Sequence, residues 1–257
     1  MALSVEQIHN VETVLKNSLR NKFQNYNPEP ASMPFHTRLL GKDRMALYSF
    51  IQSLNTTFGT SIFEPVAVAL AKNRFVIAEA QYVVGNTIFE DCQRSIQTVM
   101  NKLTMGDNPD KINEIETLRS SLTGQKNKLK TVKVDLFFED DKGEQFMFDL
   151  KTAKPNIANF KDFKRTLLEW TGIALTNNQN AKVNTIIAIP YNPYEPEPYQ
   201  RWTMKGMLDL EYELKVADEF WDFLGGKGTY LQLLDIFERV GIELRPEIDE
   251  YFARYTK

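Results

Sequence analysis

The chain is poor in the residues that build cross-links and soft-metal centres. One cysteine, Cys92, among 257 residues excludes an intramolecular disulfide and a cysteine-based zinc site. Two histidines, His9 and His36, exclude a histidine-rich metal cluster. No apolar run approaches the roughly 20 residues needed to span a bilayer. The opening stretch MALSVEQIHNVETVLKNSLRNKF is amphipathic and lacks the apolar segment and small-residue cleavage site of a secretion signal. A reducing cytoplasm is the expected setting, with no membrane partner. Repeats and low-complexity tracts are absent too, so one compact architecture over residues 1–257 is expected.

Charge of either sign is scarce in sum but unevenly distributed. A net charge of −3 argues against an indiscriminate coat for nucleic acid. From Met207 to Lys257 twelve acidic residues outnumber six basic ones, which leaves the rest of the chain at +3. Between Thr117 and Val134 lie Arg119, Lys126, Lys128, Lys130 and Lys133 with no acid among them. Two readings fit that run, a side that meets a polyanion and a solvated basic loop.

What the sequence does contain is a legible hairpin from Lys133 to Pro155. In its first arm Val134, Leu136 and Phe138 share one face, with Lys133, Asp135, Phe137 and Glu139 on the other. In the second arm Phe146, Phe148 and Leu150 share a face, opposite Gln145, Met147, Asp149 and Lys151. Asp141-Lys142-Gly143 suits a three-residue turn closed by a glycine in the left-handed region. With Asp140 opposite Glu144, counting back sets Asp135 across from Asp149, where Cβ atoms lie roughly 4.5–5.5 Å apart. Carboxylates that close repel unless a cation separates them. Two aspartates with Lys151 on the same face suit a metal site beside a cationic group, a layout for attack on a phosphodiester. The rival reading is the charged outer side of an amphipathic hairpin. Glu139 and Gln145 fit that rival, whereas Phe137 and Met147 fit a cleft floor.

The remaining chain alternates helix and strand. Val5 to about Phe23 has helical spacing, followed by the proline-broken connector YNPEPASMP. Asp43 to Leu54 reads as a helix capped by Asp43 and burying Leu47, Phe50, Ile51 and Leu54. Thr60-Ser61 reads as the cap of a helix from Ile62 to about Lys72, with Pro65 in its first turn. Glu64 there either points inward or is a first-turn glutamate favoured by the helix dipole. Residues 75–90 are ambiguous between strand and helix. Helices are expected over Thr87–Leu103, 111–122 and Ala158 to about Leu175. In the last, Phe160, Phe163, Leu167, Trp170 and Ala174 form the apolar stripe, with Lys161, Lys164 and Arg165 off it. Residues 184–190, NTIIAIP, read as a strand buried on both faces. Beyond the loop YNPYEPEPYQRWT, helices are expected over Leu214–Leu224, Tyr230–Val240 and from Pro246. Hairpin, helix and buried strand together imply a mixed α/β (α+β) fold with a central mixed sheet flanked by helices.

Val134-Asp135 and Asp149-Leu150-Lys151 resemble the PD-(D/E)xK motif of restriction-type nucleases, with valine in place of the usual proline. The segments FHTRLLGKDRMALYSFI, NTTFGTSIFEPVAVALA, FDLKTAKPN, FKRTLLEW, IAIPYNPYEP and RWTMKGMLDLEYELKVADEFWDFLGG resemble the TdeIII/MjaII family of type II restriction endonucleases over nearly the whole chain. The resemblance implies a restriction-endonuclease-like core at about 60–190, with helical additions at 1–59 and 204–257. It implies a Mg²⁺-dependent (or Mn²⁺-dependent) cut in double-stranded DNA at a short target of the GGNCC type, made by a homodimer. Asp135, Asp149 and the Leu150 carbonyl would hold the metal, Lys151 would act beside it, and Glu64 would add a further acidic group. Arg38, Lys42, Arg44, Lys128, Lys130, Lys154, Arg201 and Lys205 are the candidate DNA contacts. Two rivals stay open at this level, a repair or recombination nuclease and a non-catalytic DNA-binding protein on the same scaffold.

Overall fold

A computed structural model describes residues 3–25, 33–151, 160–200 and 206–253. The chain divides into two compact units, one of Met1–Leu70 with Gly226–Lys257 and one of Ala71–Gly225.

The first unit is helical. It contains α1 (Val5–Asn25), α2 (Pro34–Leu40), α3 (Lys42–Phe58), most of α4 (Glu64–Ala71) and, from the far end of the chain, α9 (Thr229–Ala253). Helix α9 lies along α1, joined by Lys16–Glu243, Arg20–Glu247 and Arg239–Glu12 ion pairs at 2.6–2.8 Å. Phe23, Phe50 and Tyr251 pack their rings together at 5.1–5.5 Å between centroids.

Four expectations change in this unit. Gly41, at φ 90°, starts α3, and Asp43 lies inside the first turn rather than at the cap. Phe50 is buried as expected, but Leu47 and Ile51 face solvent, and the side chain of Leu54 lies outside the described set. Thr60-Ser61 does not begin a new helix. A π-helical turn, Gly59–Phe63, carries the chain from α3 into α4, with Glu64 N–H bonded to the Gly59 carbonyl. Lastly, Pro246 begins no separate helix, because α9 runs through it for 25 residues. The missing N–H at Pro246 costs backbone bonding, but Glu243 and Glu247 hold the helix to α1 on both sides of it.

The second unit is a five-stranded sheet in the order β1 (Ile77–Phe89), β2 (Lys126–Glu139), β3 (Glu144–Leu150), β4 (Lys182–Ile189), β5 (Leu214–Val216). The first three strands are antiparallel neighbours, whereas β4 and β5 continue in parallel. Helix α7 (Phe160–Asn177) makes the crossover that a parallel β3–β4 pair requires. The remaining helices are α5 (Glu90–Met105), α6 (Lys111–Ser120) and α8 (Asp218–Gly225).

Around β3 and β4 both faces of the sheet are covered. On one, Phe138, Phe146 and Phe148 meet Phe75, Phe220 and Phe223 at centroid distances of 5.1–5.8 Å, so α8 covers that side. On the other, Thr171 of α7 reaches Thr185 of β4 at 3.2 Å, and Met147 is Thr185's neighbour in the sheet. Close approach of α7 depends on small residues. A Cβ on Gly172 would lie 2.8 Å from Ile88 and 3.0 Å from Cys92, and one on Gly85 of β1 would lie 2.9 Å from Ile173.

The ambiguous stretch 75–90 is strand from Ile77 to Phe89, and α5 begins at Glu90 rather than Thr87 because Phe89 is still extended, at ψ 142°. The basic run is strand as well, since Lys126 to Lys133 lie in β2. Leu214–Val216 is a strand instead of the start of a helix. It is recruited by β4 through Ile187 N–H to the Glu213 carbonyl and Ala217 N–H to the Ile189 carbonyl, both 2.9 Å. Ala217, at φ 48°, then turns the chain into α8.

Candidate active site

The hairpin turn is built as its residues dictate. Gly143 adopts φ 72°, and its N–H bonds to the Asp140 carbonyl at 3.1 Å. The Asp140 carboxylate accepts from the N–H groups of Lys142 and Glu144 at 2.9 and 2.8 Å, which fixes the loop from inside. Pairing then runs Glu139–Gln145, Phe138–Phe146, Phe137–Met147 and Leu136–Phe148. One further step in that register sets Asp135 across from Asp149, on the face that α7 covers.

Beyond Leu136 the strands stop exchanging ladder bonds and a side chain takes over. Leu150 N–H donates to Asp135 Oδ2 at 2.8 Å. The backbone of Lys151 is held from the other side, its N–H donating to the Ala188 carbonyl of β4 at 2.9 Å. Lys151 Nζ forms an ion pair with Asp149 Oδ1 at 2.6 Å. Its ammonium also lies 4.9 Å from the centre of the Phe163 ring on α7. Phe137 and Met147 are fully buried beneath this group, and the Tyr82 ring stacks on Phe137 at 4.0 Å. That burial rules out the charged-outer-face reading of the hairpin.

Electrostatically the site sets two carboxylates against one ammonium, that of Lys151. Asp149 is only 7 % exposed. Burial pushes its carboxyl up from an ordinary 3.8 to about 6. The facing Asp135 adds to the rise, and Lys151 opposes it. A cation beside both carboxylates would reverse that balance. The donors suit a hard cation: two aspartate carboxylates and one strand carbonyl at Leu150, all oxygen among the described residues. Among the described residues no group of three or more histidine, cysteine, aspartate or glutamate side chains is gathered. Mg²⁺, commonly held by one or two carboxylates with several waters, fits such a sparse set.

A model of the family described as "Type II restriction endonuclease, HinfI" matches residues 3–241. The chain belongs to this HinfI family of type II restriction endonucleases. It is 27 % identical over 221 residues to the type II restriction enzyme HgiCII of Herpetosiphon aurantiacus, covering 84 % of this chain and 80 % of that one. With HgiBI of the same organism it shares 27 % over 249 residues, 91 % of this chain and 88 % of the relative. With MjaII of Methanocaldococcus jannaschii it shares 26 % over 284 aligned residues, 98 % of this chain and 74 % of the relative. The resemblance to MjaII read from the sequence is thereby met. This restriction endonuclease is a site-specific deoxyribonuclease, so neither rival reading is needed.

Within this endonuclease the other candidate residues fall in several places. Lys128 and Lys130 are exposed on the outer half of β2. Arg119, from the same basic run, is tied to the Gln179 and Ala181 carbonyls and serves the fold. Arg38, Lys42 and Arg44 are exposed on α2 and α3 of the helical unit, where Arg44 also bonds the Leu40 carbonyl. Glu64 belongs to that unit and is 2 % exposed. Lys154, Arg201 and Lys205 lie outside the described residues.

Sequence reasoning set Lys164 off the apolar stripe of α7, yet it is the most deeply buried cation described, at 0 % exposure. Its ammonium bonds Glu114 of α6 at 2.5 Å and Glu213 at 2.6 Å. Lys111 joins Glu213 at 3.1 Å and donates to Thr185 at 2.6 Å. Burial lowers the Lys111 pKa and raises that of Glu114. Burial also raises that of Glu213, but Lys111 and Lys164 outweigh it and hold it low. These four charges lock α6, α7 and the approach to β5 together beside the site. No local sequence signal separates them from surface charges.

Proposed function

We propose that the ends of β2 and β3 form the catalytic centre of this endonuclease and that it hydrolyses DNA with Mg²⁺, Mn²⁺ substituting. The observation that carries the proposal is Asp135 set across from the buried Asp149, with Lys151 Nζ on Asp149 Oδ1 at 2.6 Å. Asp135, Asp149 and the Leu150 carbonyl would hold the ion, which when bound would acidify a water and neutralise charge on the scissile phosphate. The Leu150 N–H holds Asp135 through Oδ2, so that Oδ1 would be the oxygen offered to the ion. Lys151, released from Asp149 when another cation arrives, would donate to the attacking water or to the phosphate oxygens as negative charge builds there. Glu64 would supply a further acidic group, as the family resemblance implies.

Several parts of the proposal concern the substrate. Lys128 and Lys130 would contact backbone phosphates, since exposed lysines on a strand give sequence-independent attraction. Lys154 is proposed as a further DNA contact. Arg38, Lys42, Arg44, Arg201 and Lys205 are proposed to read guanine edges of a GGNCC-type target. A symmetric target calls for a two-fold homodimer, one active site per strand. The whole chain would act as one nuclease in the cytoplasm, with its core at about 60–190 and its helical additions at 1–59 and 204–257. Among the described residues no helix is long and apolar enough to cross a membrane.

Phage DNA incubated with the purified protein, with and without MgCl₂, tests this. Discrete fragments only with the metal, their ends mapping to one short sequence, are expected. A smear, or cutting undiminished by chelator, would overturn it.

A further inference from the structure

We propose that Phe163 is a positioning residue for Lys151: its ring holds the ammonium over the reaction site when the ion pair with Asp149 gives way. This rests on the assignment of Lys151 to the catalytic centre. Lys151 projects from the end of β3 on a flexible four-carbon stem, and its backbone is fixed by Ala188. Among the described residues its ammonium has two partners, Asp149 Oδ1 at 2.6 Å and the face of Phe163 at 4.9 Å. A divalent cation at the carboxylates competes for Asp149, and the ring cannot be displaced in that way. A cation over an aromatic face is attracted by the ring quadrupole without giving up a proton or filling a donor position. The ammonium can therefore still donate to water or phosphate.

The ring is held firmly enough to serve. Phe163 is buried and meets Phe160 edge-on at 5.7 Å. The next residue, Lys164, is clamped by Glu114 and Glu213 at 2.5 and 2.6 Å, which fixes the first turn of α7 against the sheet. An aliphatic side chain of similar size would fill the same space but offer no attraction for the cation.

Two measurements separate positioning from mere packing. First, the full-length protein is made with phenylalanine, mono-, di- and trifluorophenylalanine at position 163. Fluorination drains the ring quadrupole while nearly preserving its shape. Single-turnover cleavage with Mg²⁺ is expected to slow stepwise, reaching roughly 2- to 30-fold overall. DNA affinity measured with Ca²⁺ should stay constant. Phe163→Leu should match the slow end of the series and Phe163→Trp should stay near wild type. Second, in metal-free protein carrying ¹³C-lysine, the Lys151 ε-methylene resonance (assigned by its loss in Lys151→Arg) should lie upfield through the ring current. It should return toward its free position in Phe163→Leu. Rates flat across the fluorine series, or an unshifted ε-methylene, overturn the role of Phe163. Full cleavage by Lys151→Ala would instead overturn the underlying assignment of the site.

Discussion

Replacing Asp149 by asparagine should make the metal-free protein more stable while abolishing cleavage. Asp149 is 7 % exposed, and burial next to Asp135 raises its carboxyl from an ordinary 3.8 to about 6. That displacement corresponds to about 3 kcal/mol of unfavourable ionisation at neutral pH. The attraction of Lys151 is already contained in that net displacement, and the amide does not reproduce every bond of the protonated acid, so a gain of about 1–3 kcal/mol is expected for Asp149→Asn at pH 8. The sign follows from the folded value lying above the unfolded one. Stability linked to this carboxyl is fully present below about pH 3.8 and is lost as the pH rises through about 6. The advantage of Asp149→Asn should therefore grow between pH 5 and pH 8, with roughly half already present at pH 5. Urea unfolding of both proteins in EDTA across that range measures it. Adding MgCl₂ should stabilise the wild type and leave the variant unmoved. A variant that is less stable than wild type, or whose advantage ignores pH, would refute the electrostatic account of the site.

Other outcomes follow from the same structure. Lys164→Met strips Glu114 and Glu213 of their shared partner and should cost about 3–5 kcal/mol by denaturant titration. Lys164→Met with Glu114→Gln, which keeps the Lys111–Glu213 pair, should recover part of that loss. Gly172→Ala drives a methyl group to 2.8 Å from Ile88, and a loss of about 1–3 kcal/mol is expected. The Cys92 thiol, pushed up to about 11 by burial, should resist alkylation at pH 8 in native protein and react only on unfolding. Lys128→Ala with Lys130→Ala should weaken DNA binding at every sequence alike and flatten its salt dependence, measured by fluorescence anisotropy.

The hairpin was legible because its information is local. Period-two alternation names the faces, and Asp141-Lys142-Gly143 permits one turn, so the register followed without any tertiary knowledge. Elsewhere the deciding partner lies far along the chain. Leu214–Val216 is too short to declare itself a strand and exists because β4 offers an edge. Residues 77–89 alternate poorly because β1 is an edge strand with irregular register on both sides of Gly85. Pro246 signals a helix end, yet ion pairs to α1 hold α9 through it. Lys111, Glu114, Lys164 and Glu213 carry no pattern of their own and become a unit only when three elements converge. Of the proposed catalytic group, Asp135, Asp149 and Lys151 were within reach of alternation. The ring of Phe163, supplied by the next helix, was visible only as part of an apolar stripe.

The account stands most directly on Asp135, which touches the site from the strand opposite Asp149. Phage DNA should be cut into discrete fragments by wild-type protein with MgCl₂, and left intact by Asp135→Ala protein of unchanged secondary structure and comparable stability. Discrete fragments from Asp135→Ala would contradict the account and locate the catalytic carboxylates elsewhere in the chain.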